Sequence, residues 1–221
     1  MLIPSPAAAQ IGAAVSIFSD DRYRGISLSD GRPVGILDIS YDAPSGIYAT
    51  LSGSLVATRD EGVKALGVVL NGGYAKRLRS GLTFDAGIVH SRYSHYSGVD
   101  SGRRYTELYA GLTGKVMGAR LSVSPNYLGA IKWALHGELD AHLDLTRKTY
   151  LDGELGALVP IGKSPYTGAY GGQVDARVGI ARRFGPVSLH AAVTGRTGSA
   201  AVYGLNGHGR AALVVGISST L

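Results

Sequence analysis

Every second residue from Lys132 to Asp144 gives the series Lys132, Ala134, His136, Glu138, Asp140, His142 and Asp144. Two imidazoles and three carboxylates at that spacing could ligate a metal, relay protons or line a watery passage. Same-face neighbours on a strand stand about 7 Å apart, twice the strand rise, which is too far for two adjacent side chains to share an ion unaided. His142 would need help from a second strand, for instance from Asp152, and no H-E-x-x-H or comparable ligand spacing occurs. A polar network along one strand face is the better reading, with no metal and no cofactor expected. The intervening residues, Ile131, Trp133, Leu135, Gly137, Leu139, Ala141 and Leu143, are all apolar or small. In a strand the two sets point to opposite faces, whereas a helix would scatter them around its circumference.

Catalytic signals are weaker. His90 stands near Ser91 and Ser94, but adjacent residues on a strand face apart and no G-x-S-x-G is present. The run Gly204-Leu205-Asn206-Gly207-His208-Gly209 is too loose for a phosphate loop. Cysteine is absent, which removes disulfides, thiol catalysis and thiolate metal sites. A hydrolase acting on lipid or peptide at a similar scaffold is therefore an alternative and not the expectation. The net charge of +6 could suggest nucleic acid, but Lys and Arg are spread over loops, turns and polar strand faces, so no nucleic acid is expected.

The elements that must hold these residues repeat one pattern. Ile47, Ala49, Leu51, Gly53, Leu55 and Ala57 alternate with Tyr48, Thr50, Ser52, Ser54, Val56 and Thr58. Leu108, Ala110 and Leu112 alternate with Glu107, Tyr109 and Gly111, and Leu151, Gly153, Leu155 and Ala157 with Asp152, Glu154 and Gly156. The fourth strand, about Lys64 to Lys76, is less regular, with Leu66, Val68, Leu70 and Tyr74 expected on its apolar face. About twelve such strands fit residues 11–221, an even number, and a strand of about ten residues tilted by about 45° crosses a bilayer. No apolar run reaches the roughly 18 residues a membrane helix needs. Gly is 33 of 221 residues, about twice the usual share of about 7%.

Connections after the even-numbered strands are tight, and those after the odd-numbered strands are on average longer. That is the meander of an outer-membrane barrel, with both termini at the short-turn, periplasmic rim. Register can be tested at two turns. Pairing Phe184 with Val187 sets Arg183 by Ser188, Ala181 by His190 and Asp175 by Arg196. A turn at Thr146-Arg147-Lys148 sets His142 by Asp152 and Asp140 by Glu154, with Leu143 by Leu151. Tyr41, Tyr74, Phe84 and Phe184 fall near the short-turn ends and Trp133 near the other, as two interfacial girdles would. The 13 Tyr against 3 Phe suit such belts. The fold expected is all-β, a transmembrane up-and-down antiparallel β-barrel of about 12 strands.

Residues 1–10, ending Ala7-Ala8-Ala9-Gln10, read as the residual end of a secretory signal, with the barrel domain over 11–221. The stretch Ser19-Asp20-Asp21-Arg22-Tyr23-Arg24-Gly25-Ile26-Ser27-Leu28-Ser29-Asp30-Gly31-Arg32-Pro33, with Tyr41-Asp42 and Ser45-Gly46-Ile47-Tyr48 after it, resembles the opening of the TorF-type family of bacterial outer-membrane porins. The close match covers roughly the first sixty residues. Such barrels commonly end in Phe, whereas this chain ends in Leu221. The resemblance implies a Gram-negative outer membrane and passive diffusion of small hydrophilic solutes or ions.

If the apolar faces meet lipid, the polar faces line a lumen. Its carboxylates would be Asp38, Asp85, Glu107, Glu138, Asp140, Asp144, Asp152, Glu154 and Asp175. Its cations would be Arg120, Lys132, Arg177, Arg183 and Arg196, with His136 and His142 beside them. The acid-rich eighth and ninth strands against Arg-bearing tenth to twelfth strands would set opposed arcs and a transverse field. Arg22 and Arg24 could form a constriction in the first loop, or pair with Asp20, Asp21 or Asp30 to order it. A twelve-strand barrel is narrower than open porins of 16 to 18 strands, so a plugged structural or adhesive barrel is the other alternative. The partners expected are outer-membrane lipids, lipopolysaccharide phosphates at Arg59, Arg103, Arg104 and Lys163, and the barrel-assembly machinery through the C-terminal strand.

Overall fold

The computed structural model describes residues 9–94, 104–127, 131–161, 172–197 and 211–221. The expected signal remnant falls almost wholly outside them, as do Arg103 and Lys163. Strand β1 (Gln10–Phe18) is followed by two short strands, β2 (Arg22–Tyr23) and β3 (Ile26–Ser27). Then come β4 (Val34–Asp42), β5 (Ile47–Thr58), β6 (Gly62–Arg77), β7 (Thr83–Tyr93), β8 (Arg104–Thr113) and β9 (Met117–Tyr127). Strands β10 (Ile131–Asp144), β11 (Thr149–Ile161), β12 (Gln173–Phe184), β13 (Val187–Arg196) and β14 (Ala211–Thr220) complete the chain.

All except β2 and β3 form one closed antiparallel barrel of twelve strands, each next to its neighbour in sequence. The ends meet through β1 and β14, with Ile17 opposite Ile217 and Leu221 N–H donating to the Ala13 carbonyl at 2.9 Å. Closure leaves no unpaired edge, which hydrocarbon surroundings demand. Both expected hairpin registers hold: Asp175 lies opposite Arg196, and Asp140 opposite Glu154.

Parity decides what faces out. Leu51, Leu70, Leu108, Leu139, Leu155 and Val178 are all between two-fifths and two-thirds exposed on the outer wall. The residues immediately before and after each of them in the chain are buried or half-buried inside. Trp133 and Phe184 stand outward at opposite ends of that wall, as the girdle pattern required.

Two expectations need correction. Leu66 faces inward and is fully buried with Val34 and Val56, because a bulge at Ser54/Leu55 inserts it as an extra residue. Val68, Leu70 and Tyr74, beyond the bulge, stand outward as expected, and only Leu66 at the bulge itself is turned in. The tyrosines do not mainly form a belt. Among the described residues Tyr41 and Tyr74 stand outside, while Tyr23, Tyr48, Tyr93, Tyr105, Tyr109 and Tyr127 lie inside. A ring with a hydroxyl tip fills a narrow lumen and still hydrogen-bonds its polar lining.

Candidate functional site: a charged lumen with an inward-folded hairpin

The first long connection does not leave the barrel; it folds into it. Arg24 and Gly25 both have positive φ (50° and 71°), the two-residue turn that joins strands at their natural twist. Tyr23 and Ile26 face each other across it, making β2 and β3 a minimal hairpin. Asp30 and Gly31 repeat the geometry (59° and 68°) as the chain returns to the wall. Asp20 is the local anchor. It accepts from Arg22 Nε at 2.7 Å and from the Ser29 hydroxyl at 2.8 Å, and Ser27 also donates to it.

The hairpin docks by two means. Ile26 and Leu28 pack among Tyr93, Tyr105, Tyr127, Ala134 and Leu158, all buried. Burying one such aliphatic side chain is worth about 1.5–3 kcal/mol. At the tip, Arg24 Nη1 and Nη2 donate to the two Glu107 oxygens at 2.8 and 3.0 Å, and Nη1 also to the Tyr127 hydroxyl at 3.0 Å. The guanidinium lies 4.6 Å from the Tyr23 ring centroid, and Gln173 Nε2 donates to the Arg24 carbonyl at 3.0 Å. Gly25 sits where a Cβ would fall 2.8 Å from the Gly195 carbonyl, so only glycine lets the tip reach β13.

Of the two readings of the arginines, ordering of the loop by Asp20 describes Arg22. Arg24 does something the sequence did not display, pairing with a wall carboxylate 83 residues away. The side chains of this docked segment occupy part of the long-loop half of the barrel interior.

Below the hairpin the wall is ionised. Arg120 pairs with Asp85 at 3.2 Å, and Asp85 also accepts from the Tyr48 hydroxyl. Arg177 pairs with Asp152, and Ser52 donates to Asp38. His136 lies 3.7 Å from Asp175 and 3.9 Å from Glu138, with Nε2 unbonded. Asp140 and Glu154 stand directly opposite each other in register. His142 and Asp144, 3.4 Å apart, are well exposed at the short-turn rim, where Arg183 covers the Tyr150 ring at 4.9 Å. Arg196 lies opposite Asp175, and the Lys132 side chain lies outside the described residues. Among the described residues no three His, Asp or Glu side chains converge to hold a metal ion.

The expected opposed arcs do not form. Strand β12 adjoins β11, so Arg177 neutralises Asp152 beside it. The wall across the barrel from β10 and β11 is β4 and β5, which carries Asp38 and hydroxyls. His90, half of the weighed Ser/His pair, faces outward and bonds Thr106 at 2.9 Å, whereas Ser91 is buried inside.

Asp21 lies in the connection between β1 and β2. Burial pushes its carboxyl up to about 6, with Asp20 and Asp38 adding to the effect. Its folded-state value lies above the ordinary one of 3.8, so the contribution is full below that value and is lost as pH rises through about 6. Docking of the hairpin is thus expected to be firmer at about pH 5 than at about pH 7.5, read as slower hydrogen exchange of the Arg22 to Ser27 amides after correction for the intrinsic rate. Asp21→Asn should abolish the difference.

A match to one bacterial family spans residues 4–205. The chain belongs to Gcw_chp, a family of bacterial proteins of unknown function. No curated protein matches the sequence. Among solved structures, the NanC porin superposes with a TM-score of 0.62 at 12% identity, covering 95% of this chain and 100% of that one. The KdgM porin gives 0.55 at 11%, covering 94% and 98%, and has also been solved in complex with disordered oligogalacturonate. The COG4313 outer membrane channel from Pseudomonas putida F1 gives 0.56 at 14%, covering 98% and 96%. At these identities the likeness is one of fold. This Gcw_chp chain has the barrel architecture of outer-membrane porins and channels.

Proposed function

We propose that this Gcw_chp protein is a passive channel of a Gram-negative outer membrane, passing small hydrophilic solutes or ions, as its TorF-type opening implies. The observation that carries the reading is a closed ring, apolar outside, whose mid-height interior charges remain reachable by water. The side chains of Asp85, Glu138, Asp152, Arg177 and Arg120 keep 16, 25, 23, 39 and 42% of their surface. A plug that dried these groups would add a desolvation cost that contact with water avoids. A cavity of about 170 Å³ also runs beside the hairpin, between Asp20, Asp21 and Arg22 on one side and Arg177, His190 and Thr194 on the other. That crevice leaves space of water size beside the docked segment.

The buried hairpin favours a gated channel over a permanently open one. Oligogalacturonate, the polyanion in the solved KdgM complex, suits this lumen poorly, because carboxylates dominate it. The apolar wall would contact outer-membrane lipid, and Arg59 and Arg104 would meet lipopolysaccharide phosphates. The C-terminal strand ending at Leu221 would be read by the assembly machinery. Planar-bilayer recording of the refolded barrel should give discrete, small conductance steps. Silence from a barrel shown to be folded by its heat-modifiable gel mobility would sink the channel reading.

A further inference from the structure

The whole chain carries a formal charge of +6, yet its interior is negative. Among the described residues, eight inward carboxylates stand between the rims, from Asp38 on β4 to Asp175 on β12. Three arginines, Arg120, Arg177 and Arg196, share that surface. Adding Lys132 would still leave the acids in twofold excess. The hairpin's own Asp20, Asp21, Arg22 and Arg24 cancel. The positive surplus of the chain therefore lies on loops and rims, not along the lumen.

The excess is concentrated. Glu107, Asp85 and Asp152 each have an arginine partner. Asp140 and Glu154 form no ion pair among the described residues, though they face each other directly across the ladder, with Glu138 the next inward residue on β10. Like charges in direct opposition destabilise a sheet, so the fold bears a cost here that an asparagine or glutamine would remove.

A second observation points into the same place. Asp175 and His136 are 2% and 1% exposed, and Asp175 Oδ2 and His136 Nε2 have no hydrogen-bond partner. Both lean over Gly156, which sits opposite Glu138 and two residues from Glu154; a Cβ there would fall 2.8 Å from each of those two atoms. Gly118 likewise leaves the space that the Asp140 carboxylate occupies. Gly156 and Gly118 thus let Asp175, His136 and Asp140 lie close against the wall beside Glu138 and Glu154, and in that crowd Asp175 Oδ2 and His136 Nε2, 3.7 Å apart, remain without a hydrogen bond. A positively charged guest would relieve both the repulsion and the missing bonds.

We infer that the lumen selects cations, and that Asp140, Glu154 and Glu138 form the seat where a cation dwells. The inference rests on the channel reading but is separable from it. Acidic rings confer cation preference on pores by holding counter-ions at the constriction. Because these carboxylates do not converge to ligate a metal ion, the ligand class is a small organic ammonium or a hydrated monovalent cation held by charge, with anions repelled.

The test uses the refolded full chain and its D140N/E154Q variant, both checked for folded-barrel mobility. Under a KCl gradient the reversal potential should report potassium permeability at least about threefold above chloride. The variant should conduct with a ratio near one. Conductance with equal or anion-favouring permeability would overturn the inference while leaving the channel standing, and an unchanged ratio in the variant would overturn the seat. Calorimetry with spermidine on the same detergent-folded samples separates the remaining cases. Binding lost in the variant, without conductance, would keep the cation seat and sink the channel; neither binding nor conductance would sink both.

Discussion

Replacing Arg24 by alanine is expected to raise single-channel conductance several-fold and to cost the folded barrel about 3–5 kcal/mol. The side chains of Arg24 and Glu107 are 4% and 6% exposed, and two hydrogen bonds join them. Removing one member of such a pair strands the other as an uncompensated buried charge. Glu107 would then draw water into the long-loop half of the lumen, where Ile26 and Leu28 now pack against tyrosines. The Tyr127 hydroxyl would lose the hydrogen bond from Arg24 as well. Undocking of the hairpin is the cheapest relief, and it opens the lumen. The double replacement Arg24→Met with Glu107→Leu should recover much of the stability, because an apolar pair of similar volume avoids the desolvation cost. Urea unfolding in micelles reads the first effect and bilayer recording the second. An Arg24→Ala barrel with unaltered conductance and unaltered unfolding would mean that the hairpin is held by its apolar contacts alone.

A second large effect is expected on the opposite surface of the wall. Leu139→Arg should cost about 2–4 kcal/mol in lipid, since a guanidinium at mid-height of a barrel's outer face must leave water or deform the bilayer. Leu143→Arg, on the same strand and the same face but beside the short-turn rim, should cost only about 0–1 kcal/mol. Both leucines are half exposed on that outer wall, at 48 and 50%, so burial in protein cannot account for a difference between them. Reversible unfolding from vesicles would measure the gradient. Equal costs at the two positions would argue that lipid does not bound this surface. The neighbouring inward Asp140 supplies the contrast, because its replacement is expected to alter selectivity instead.

The alternation of Ile131 to Asp144 was enough to assign a face to every residue of that strand, and among the described side chains Ala134 and His136 are buried while Trp133 and Leu139 stand outward. The turns Gly185-Pro186 and Thr146 to Lys148 were short enough to fix register, which the observed pairs match. The inward carboxylates followed from the same parity. Other features escaped for reasons that are equally physical. Leu66 looked like an outer residue because a bulge belongs to a pair of strands and leaves no mark in one of them. The tyrosines were read as a belt by composition, although Tyr105 and Tyr109 share parity with Glu107 and could have been placed inside on that ground.

What the sequence determined by itself was everything governed by residues two apart or by the length of a turn: strand faces, strand number, register at tight hairpins and the ionised character of one surface. Alternation and turn geometry are local, so they are written where they act. The tertiary structure alone decided that the first loop turns inward, that Arg24 meets Glu107, and that β12 lies beside the acidic strands instead of across from them. Those outcomes depend on which distant groups closure of the ring brings within a few ångströms. Arg24 had acidic residues nearer in sequence, Asp20, Asp21 and Asp30, and only the shape of the closed lumen made Glu107 the partner.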